Sequence, residues 1–310
     1  MKKIIFKFDK FLLILSLISL VFLPIIFLSI PTFYNYQSIV PQLEKKIYSQ
    51  FKIHTKINSK IYYKAFPSPH FEIRKININL SEKTERSLIQ DAKVKIYIPI
   101  NKIYSRSAFD FNSIEIFDTN INLKSSDLGK VRDHLYYSIN KPIKFNNVTL
   151  FIRNKKDEVI IISPLKSIVN KINENKKSKE FNISGKLFDL NFKSEWKRDY
   201  AFPRNSTHNI QVKNPNIDIK NEFSYLDNKN FSGKTLFKFL DNELFLNYNY
   251  LDKKISISSP NEIGNIKIYS AINLKPFDID INLEFYKKKI NFFIDHLFRY
   301  IFTLDKNLLG

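Results

Sequence analysis

The chain of 310 residues contains no cysteine and only five glycines. Without cysteine the chain can form neither disulfides nor thiolate metal sites. A glycine-rich phosphate loop is excluded as well, because Ser232-Gly233-Lys234-Thr235 has Asn228 where that loop requires an earlier glycine. These absences exclude disulfide-stabilised folds and nucleotide hydrolysis through a P-loop.

Histidine is also scarce, and the sequence lacks the common catalytic motifs. The five histidines are separated too widely to meet on one helix or strand: His54, His70, His134, His208 and His296. There is no H-E-x-x-H and no G-x-S-x-G. We therefore expect no catalytic residue, no metal site and no cofactor, and we do not expect an enzyme.

Positive charge is abundant but is not arranged for nucleic acid. The net charge is +20, and the 50 basic residues comprise 42 lysines and 8 arginines. The lysines are spread along the chain, whereas a nucleic-acid site would cluster them and would use arginine for base and phosphate contacts. We therefore expect no nucleic-acid partner; a basic surface beside anionic lipid headgroups remains compatible with the composition.

A long uncharged apolar run extends from Phe11 to Ile30. At about 1.5 Å rise per residue, twenty helical residues match the hydrocarbon core of a bilayer. Four lysines precede the run against the single acid Asp9, namely Lys2, Lys3, Lys7 and Lys10, and this bias predicts a cytosolic N-terminus. A cleaved signal peptide is the alternative, but the run is longer than the apolar region of a usual signal peptide, and no A-x-A-like cleavage site follows it.

Most of the sequence after the run alternates apolar and polar residues, as β-strands do. Ala92 to Ile100, Val148 to Ile152, Leu244 to Tyr250 and Phe277 to Phe285 are clear examples. The alternation changes parity at Arg74-Lys75, which predicts a β-bulge. No long helical segments separate the strands, so we expect a mostly antiparallel sheet whose apolar face is covered by a second sheet, a barrel interior or lipid.

Amphipathic helices are predicted at both ends of this β-rich region. Ser38 to Phe51 has Ser38 as a possible cap and Pro41 in its first turn. It would lie on the membrane, plug one end of the sheet, or simply connect. Residues 287–310 also carry a helical apolar stripe, which suits either a cover for the sheet or a membrane-interface helix. Residues 127–139 and 164–172 show weaker helical spacing.

The order of motifs after the apolar run resembles the N-terminal region of the AsmA family of bacterial envelope proteins. The resemblance is carried by Ala65-Phe66-Pro67-Ser68-Pro69 before a strand, by Ile76-Asn77-Ile78-Asn79-Leu80, and by the segment from Ile114 to Leu123. Pro67 and Pro69 occupy the P-x-P positions of the family motif. It is clearest over residues 1–125.

This resemblance implies a bridge-type lipid-transfer protein. It implies a single-pass protein of the bacterial inner membrane, with its N-terminus in the cytoplasm, its bulk in the periplasm, and a long curved antiparallel sheet forming an apolar groove. The implied partners are membrane phospholipids and other envelope proteins, and the implied role is outer-membrane lipid homeostasis or assembly. The alternative is an anchored β scaffold for outer-membrane protein assembly that transports no lipid.

These expectations divide the chain into five parts and give one set of lipid-contact residues. The parts are a cytosolic N-terminus (1–10), a transmembrane helix (11–30), a linker with a short amphipathic helix (31–51), a periplasmic β-rich domain (52–286), and a C-terminal amphipathic helix and tail (287–310). Period-two register predicts that the groove is lined by Ala92, Val94, Ile96, Ile98, Val148, Leu150, Leu244, Leu246 and Tyr248.

Overall fold

A computed structural model describes residues 10–79, 87–104, 110–134, 139, 141–173, 175, 177–199, 204–227, 230–239, 242–259, 266–274 and 277–285. Within these residues the α-helices are α1 (Lys10–Ser29), α2 (Val40–Phe51) and α3 (Leu128–Asp133). The strands are β1 (His54–Ile57), β2 (Ile61–Lys64), β3 (His70–Asn79), β4 (Ile89–Tyr97), β5 (Ser113–Lys124), β6 (Ile143–Arg153), β7 (Val159–Asn173), β8 (Ser178–Leu187), β9 (Leu190–Asp199), β10 (Asn205–Lys213), β11 (Ile217–Tyr225), β12 (Phe231–Phe239), β13 (Asn242–Leu251), β14 (Lys254–Ser258), β15 (Ile266–Leu274) and β16 (Phe277–Phe285).

The chain is mostly β, as its alternation predicts, and its strands follow each other in a 16-stranded sheet with β2 paired on β3. It divides into two compact units. The first unit comprises Met1–Ile172 and Asn182–Asp189, and the second comprises Asn173–Phe181 and Leu190–Gly310. The predicted C-terminal helix at 287–310 lies outside the described residues.

Helix α1 forms from the apolar run, as predicted. Together with the turn that follows, the segment Leu13–Phe33 is long and apolar enough to cross a membrane, and every residue from Leu13 to Ile30 is exposed or half-buried. Pro24 lies inside the helix without ending it. Exposed leucine, isoleucine and phenylalanine on all sides are what a helix surrounded by lipid requires.

Helix α2 forms in the predicted amphipathic segment, and it buries one stripe in the first unit. Leu43, Ile47 and Phe51 are at most 1% exposed. Pro41 lies in the first turn, but the N-cap is Ile39, and no side chain caps the helix, so the predicted Ser38 cap is wrong. The helix ends at Phe51, and the next residue, Lys52, has a left-handed backbone and donates its N–H to the Tyr48 carbonyl at 2.8 Å. Helix α2 is therefore part of the core rather than a plain connector.

The first unit has a closed apolar core. Phe51 stacks with Phe111, with ring centroids 6.4 Å apart, which joins α2 to the start of β5. Polar contacts secure the same junction, because the Gln50 side-chain amide donates to Asp110 at 2.9 Å and accepts from the Phe111 N–H at 3.1 Å. The Lys141 ammonium lies 2.7 Å from Asp110 and, through this hydrogen bond, holds the pKa of that carboxyl below its usual value.

A line of irregular residues crosses the strands of the first unit. The pairing of β3 with β4 shifts between Ile73 and Ile76, which confirms the bulge predicted at Arg74-Lys75. The Ser59 hydroxyl accepts from both bulged N–H groups, at 3.2 and 3.0 Å. The next three strands each contain one residue with a left-handed backbone: Asp91, Asp118 and Asn147. Asp and Asn tolerate that conformation better than most residues do.

The sheet is mostly antiparallel, as predicted, but it includes a parallel pair, and one predicted helix of the first unit is a strand. Strands β5 and β6 pair in parallel, with Ile116 opposite Phe145, so the sheet is not wholly antiparallel. Residues 164–172 lie in strand β7 and not in a helix. Ile168 and Val169 favour strands, and pairing with β6 overrides the helical spacing. The expectation at 127–139 holds in part, since α3 covers Leu128–Asp133.

Candidate functional site

The predicted groove-lining residues lie in two different environments. Ala92, Val94, Ile96 and Ile98 are at most 3% exposed, and Val148 is 2% exposed. Leu150 is half-buried. All six belong to the first unit, and the first five lie sealed in its core. In this structure the five buried residues do not form an open surface, because other parts of the first unit cover them.

The other three predicted residues lie together on strand β13 of the second unit. Leu244, Leu246 and Tyr248 are half-buried and point to one side of the sheet. The motif residues Pro67 and Pro69 lie in the loop between β2 and β3, where the Pro69 carbonyl accepts from the Ile98 N–H at 3.0 Å. The prolines therefore shape a loop of the first unit.

The strand pairing shows which residues of the neighbouring strands lie on the same side of the sheet as Leu244, Leu246 and Tyr248. We call the surface formed by the apolar residues on this side the apolar face. Its members are Leu190, Phe192, Trp196, Ile210, Val212, Ile217, Ile219, Phe223, Tyr225, Phe231, Phe237, Phe239, Leu244, Leu246, Tyr248, Tyr250, Ile255, Ile257, Ile268, Ile272, Ile279 and Ile281.

The apolar face is open within the described part of the second unit. Each of its members is half-buried or exposed, and Ile279 and Ile281 are 47% and 55% exposed. The described segments of this unit are strands and turns, so no helix among them packs over the face. A large exposed apolar surface is unusual for a soluble protein and marks a site of interaction.

Charge is almost absent from this register. Among the described residues of β9–β16 that share it, Arg198 alone is charged, and its guanidinium lies over the Tyr225 ring at 4.8 Å. The opposite side of the same strands is rich in lysine, asparagine and aspartate, for example Lys193, Lys220 and Asp278. The sheet therefore separates an apolar surface from a polar, solvated one.

The apolar face is large enough for hydrocarbon chains. Its eight strands, spaced about 4.8 Å apart, give a surface roughly 34 Å across. One leaflet of a bilayer core is about 15 Å thick, which is half of the usual hydrocarbon thickness. A lipid acyl chain lying across the strands would therefore contact apolar side chains along its full length.

A row of polar side chains interrupts the apolar face, and we call it the polar row. It consists of Ser194, His208, Asn221, Thr235 and the hydroxyl of Tyr248. The Ser194 hydroxyl lies 2.9 Å from Nε2 of His208. Asn221 Oδ1 accepts from the Thr235 hydroxyl at 2.9 Å and from the Tyr248 hydroxyl at 2.7 Å. Because these groups bond to one another, they can face an apolar partner at a lower cost than isolated polar groups.

Gly233 creates the space through which Tyr248 reaches the polar row. It lies between Phe223 and Tyr248 in the sheet, and a Cβ at this position would be 2.5 Å from the Tyr248 hydroxyl. The ring of Tyr248 therefore crosses over Gly233 to contact Asn221 on the strand beyond. Burial raises the pKa of Tyr248 above its ordinary value, so the hydroxyl keeps its proton and donates at neutral pH.

The contact between Ser194 and His208 has the distance of a nucleophile and base, but its surroundings do not favour catalysis. The described residues of β9–β16 in this register include no aspartate or glutamate that would orient the imidazole. Strand β10 is paired on both sides, so its backbone N–H groups serve the sheet and cannot form an oxyanion hole. Within the described residues no group of three or more His, Asp or Glu is placed to hold a metal.

The second unit also has a polar concavity of about 570 Å³ over strands β10–β13. Its lining includes Asn205, Thr207, Asn247 and the ion pair between Lys234 and Glu222, whose charged atoms are 3.1 Å apart. This lining suits water and polar groups rather than hydrocarbon.

His208 gives the second unit an expected pH dependence. Burial lowers its pKa below the ordinary value of 6.5. An unfolded chain would bind a proton here at a higher pH than the folded chain, so the stability contributed by neutral His208 is present above pH 6.5 and is lost as the pH falls through the lowered pKa. Trp196, the chain's single tryptophan, stacks on His208 with ring centroids 5.0 Å apart.

We expect Trp196 fluorescence to decrease on acidification with a midpoint below pH 6.5, because a protonated imidazole quenches a neighbouring indole. His208→Gln should remove this transition. The variant should also lose less stability against urea unfolding than the wild type when the pH falls from 8 to 5. An unchanged fluorescence titration in the variant would show that His208 does not titrate beside Trp196.

The sequence contained a pattern that would have revealed the polar row. Each of its four side chains from β9 to β12 stands at a position where the alternation of its strand would place an apolar residue: Ser194, His208, Asn221 and Thr235. His208, for example, precedes Ile210 and Val212 on the same side of β10. Their hydrogen-bonded arrangement depends on the register between strands, which single-strand periodicity does not define.

No protein-family model matches the chain, and no curated protein sequence matches it.

Proposed function

We propose that this chain is a membrane-anchored protein that carries phospholipid acyl chains along the apolar face of its second unit. The observation that carries the proposal is an open, almost uncharged apolar surface of eight paired strands. In the envelope of a bacterium, with α1 in the inner membrane and the sheet in the periplasm, this activity would support outer-membrane lipid homeostasis. The resemblance to the AsmA family supports the same assignment.

Burial of hydrocarbon supplies the energy for this role. Each methylene removed from water is worth about 0.8 kcal/mol, so an acyl chain on the apolar face avoids most of the cost of crossing an aqueous space. Similar apolar side chains repeat from strand to strand on this face. A lipid can therefore move across the strands without one large barrier. The reaction needs no catalytic group, and we propose that the chain is not an enzyme.

Photo-crosslinking tests the proposal with a matched pair of positions. Leu246 lies on the apolar face, and its neighbour Phe245 lies on the opposite side of β13; both are half-buried. Benzoylphenylalanine at Leu246 should crosslink to phospholipid in cell membranes, and the same group at Phe245 should not. Mass spectrometry of the adduct would identify the lipid. Equal crosslinking at both positions, or none at Leu246, would contradict the proposal.

The proposed membrane orientation has its own test. Four lysines precede α1, and this bias favours a cytosolic N-terminus. A reporter that is active only outside the cytosol, fused after residue 51, should be active, and a cytosolic reporter at the same place should be inactive. The mature protein should retain the residues of α1. Cytosolic activity of the fusion would refute this topology.

A non-transporting scaffold remains the second candidate because the first unit matches it. A scaffold requires the apolar side of its sheet to be packed, as Val94 and Ile96 are. The open apolar face distinguishes the second unit from this arrangement. The two candidates therefore predict different consequences of placing charge on that face.

A further inference from the structure

Tyrosine hydroxyls of the first unit bind the end of α1. Tyr63 donates to the Leu28 carbonyl at 2.9 Å, and Tyr104 donates to the Phe27 carbonyl. Carbonyls in the last turn of a helix have no partner within the helix and need one from elsewhere. The first unit supplies these partners, so hydrogen bonds as well as the connecting chain join its sheet to α1.

Packing reinforces this junction. Tyr36, which follows α1, donates from its hydroxyl to the Pro31 carbonyl at 2.9 Å, and its ring packs edge-on against Phe71 with centroids 4.9 Å apart. Tyr63 is 3% exposed. Burial, and to a lesser extent the neighbouring Tyr104, raises the pKa of Tyr63 to about 12. Its hydroxyl therefore remains a donor throughout the physiological pH range.

Exposed apolar side chains surround the same junction, and we call Phe33, Phe66, Ile100 and Tyr104 the collar. Phe33, Phe66 and Ile100 are 88%, 55% and 60% exposed. Phe33 lies in the turn after α1, Phe66 in the loop between β2 and β3, and Ile100 just beyond β4. The Ile98 N–H donates to the Pro69 carbonyl at 3.0 Å, which links the last two segments, and the Tyr104 ring lies 4.8 Å from that of Phe27.

We infer that the collar lies in the interfacial layer of the membrane that α1 crosses. This inference rests on the anchoring part of the proposed function and does not depend on lipid transfer. The twenty residues of α1 span about 30 Å, the thickness of the hydrocarbon core, so the helix ends where the collar begins. Aromatic residues concentrate at this depth, and exposed Lys64 and Lys102 beside the collar suit anionic headgroups.

The partner is a lipid surface because the collar is continuous with α1. A protein partner would have to bind around a helix whose residues Leu13–Phe33 are already suited to lipid. With the collar in the membrane interface, the first unit is held in a fixed orientation relative to α1 and is not joined to it by a flexible linker alone. The strand ends near Lys64, His70 and Tyr97 are held at the membrane surface by the bonds to α1.

The absence of native cysteine allows a direct depth measurement on the full chain. Single-cysteine variants Phe66→Cys and Ile100→Cys would be labelled with a fluorophore and reconstituted into phosphatidylcholine–phosphatidylglycerol vesicles containing spin-labelled lipids. Phe188→Cys is the matched control, since Phe188 is 61% exposed but follows β8 at the opposite strand ends of the first unit. Ile18→Cys, within α1, reports insertion of the anchor.

We expect shallow spin labels to quench positions 66 and 100 several-fold more strongly than position 188, and deep labels to quench position 18. Quenching at 18 without quenching at 66 and 100 would overturn the collar assignment while leaving the anchor intact. Lack of quenching at 18 would overturn the anchor and, with it, the premise of the inference. Equal quenching at 66, 100 and 188 would show that membrane contact is not confined to the collar.

Discussion

Val94→Asp is expected to unfold the first unit, whereas Leu246→Asp should leave the second unit folded but unable to carry lipid. Val94 is 1% exposed, so its replacement would bury an unpaired carboxylate at a cost of several kcal/mol. That cost is comparable with the whole stability of many domains, about 5–15 kcal/mol. Leu246 is half-buried on an open face, where a carboxylate can remain hydrated.

The two variants can be compared in the same purified full chain. Urea unfolding followed by circular dichroism reports overall structure, and the fluorescence of Trp196 reports the second unit. Co-purified phospholipid per chain measures lipid binding, with Phe245→Asp on the opposite side of β13 as the control. If Leu246→Asp unfolds the second unit as severely as Val94→Asp affects the first, the apolar face is a packed core and the scaffold hypothesis replaces lipid transfer.

Gly185→Ala is expected to destabilise the first unit by about 1–3 kcal/mol, because it overpacks a site without free space. A Cβ at Gly185 would lie 2.5 Å from the Pro164 carbonyl oxygen and 2.7 Å from Cα of Leu165. Both atoms belong to the backbone of β7, so relief requires the strands to separate. Hydrogen bonds at this contact, including that from the Ser163 hydroxyl to the Lys186 carbonyl at 2.6 Å, would weaken as they did so.

Gly129→Ala is the matched control for this change. Gly129 lies in α3, and a Cβ there would meet no atom within 4 Å. Alanine favours helix over glycine by up to about 1 kcal/mol, so this variant should be neutral or more stable. Urea midpoints of the two variants should therefore shift in opposite directions or differ clearly in size. Equal midpoints would show that β7 and β8 are not packed closely at Gly185.

The local elements of this protein followed from its sequence because they depend on short-range periodicity. An uncharged run as long as a bilayer core predicted α1, and the amphipathic pattern of residues 38–51 predicted helix α2. Alternation predicted the strands, and its change of parity predicted the bulge at Arg74-Lys75. In each of these cases the information lies within a few residues of the feature.

These local patterns do not predict which strands, distant in sequence, pair with each other. The parallel alignment of β5 with β6 depends on the path of the chain between them, and residues 164–172 became a strand because β6 lies beside them. The close approach of Gly185 to β7 and the meeting of Ser194 with His208 also depend on which strands become neighbours. Such contacts join residues between 14 and 29 positions apart, beyond the range of a local period.

Val94 and Leu246 show most clearly what only the tertiary structure decided. Both occupy apolar positions of a regular alternation, and the sequence by itself determined that each points to the apolar side of its strand. The alternation cannot state what covers that side. In the first unit, packing leaves Val94 only 1% exposed, whereas the described part of the second unit leaves Leu246 half-buried on an open face. Burial depends on a second layer from distant parts of the chain, and only the folded structure shows where that layer is present.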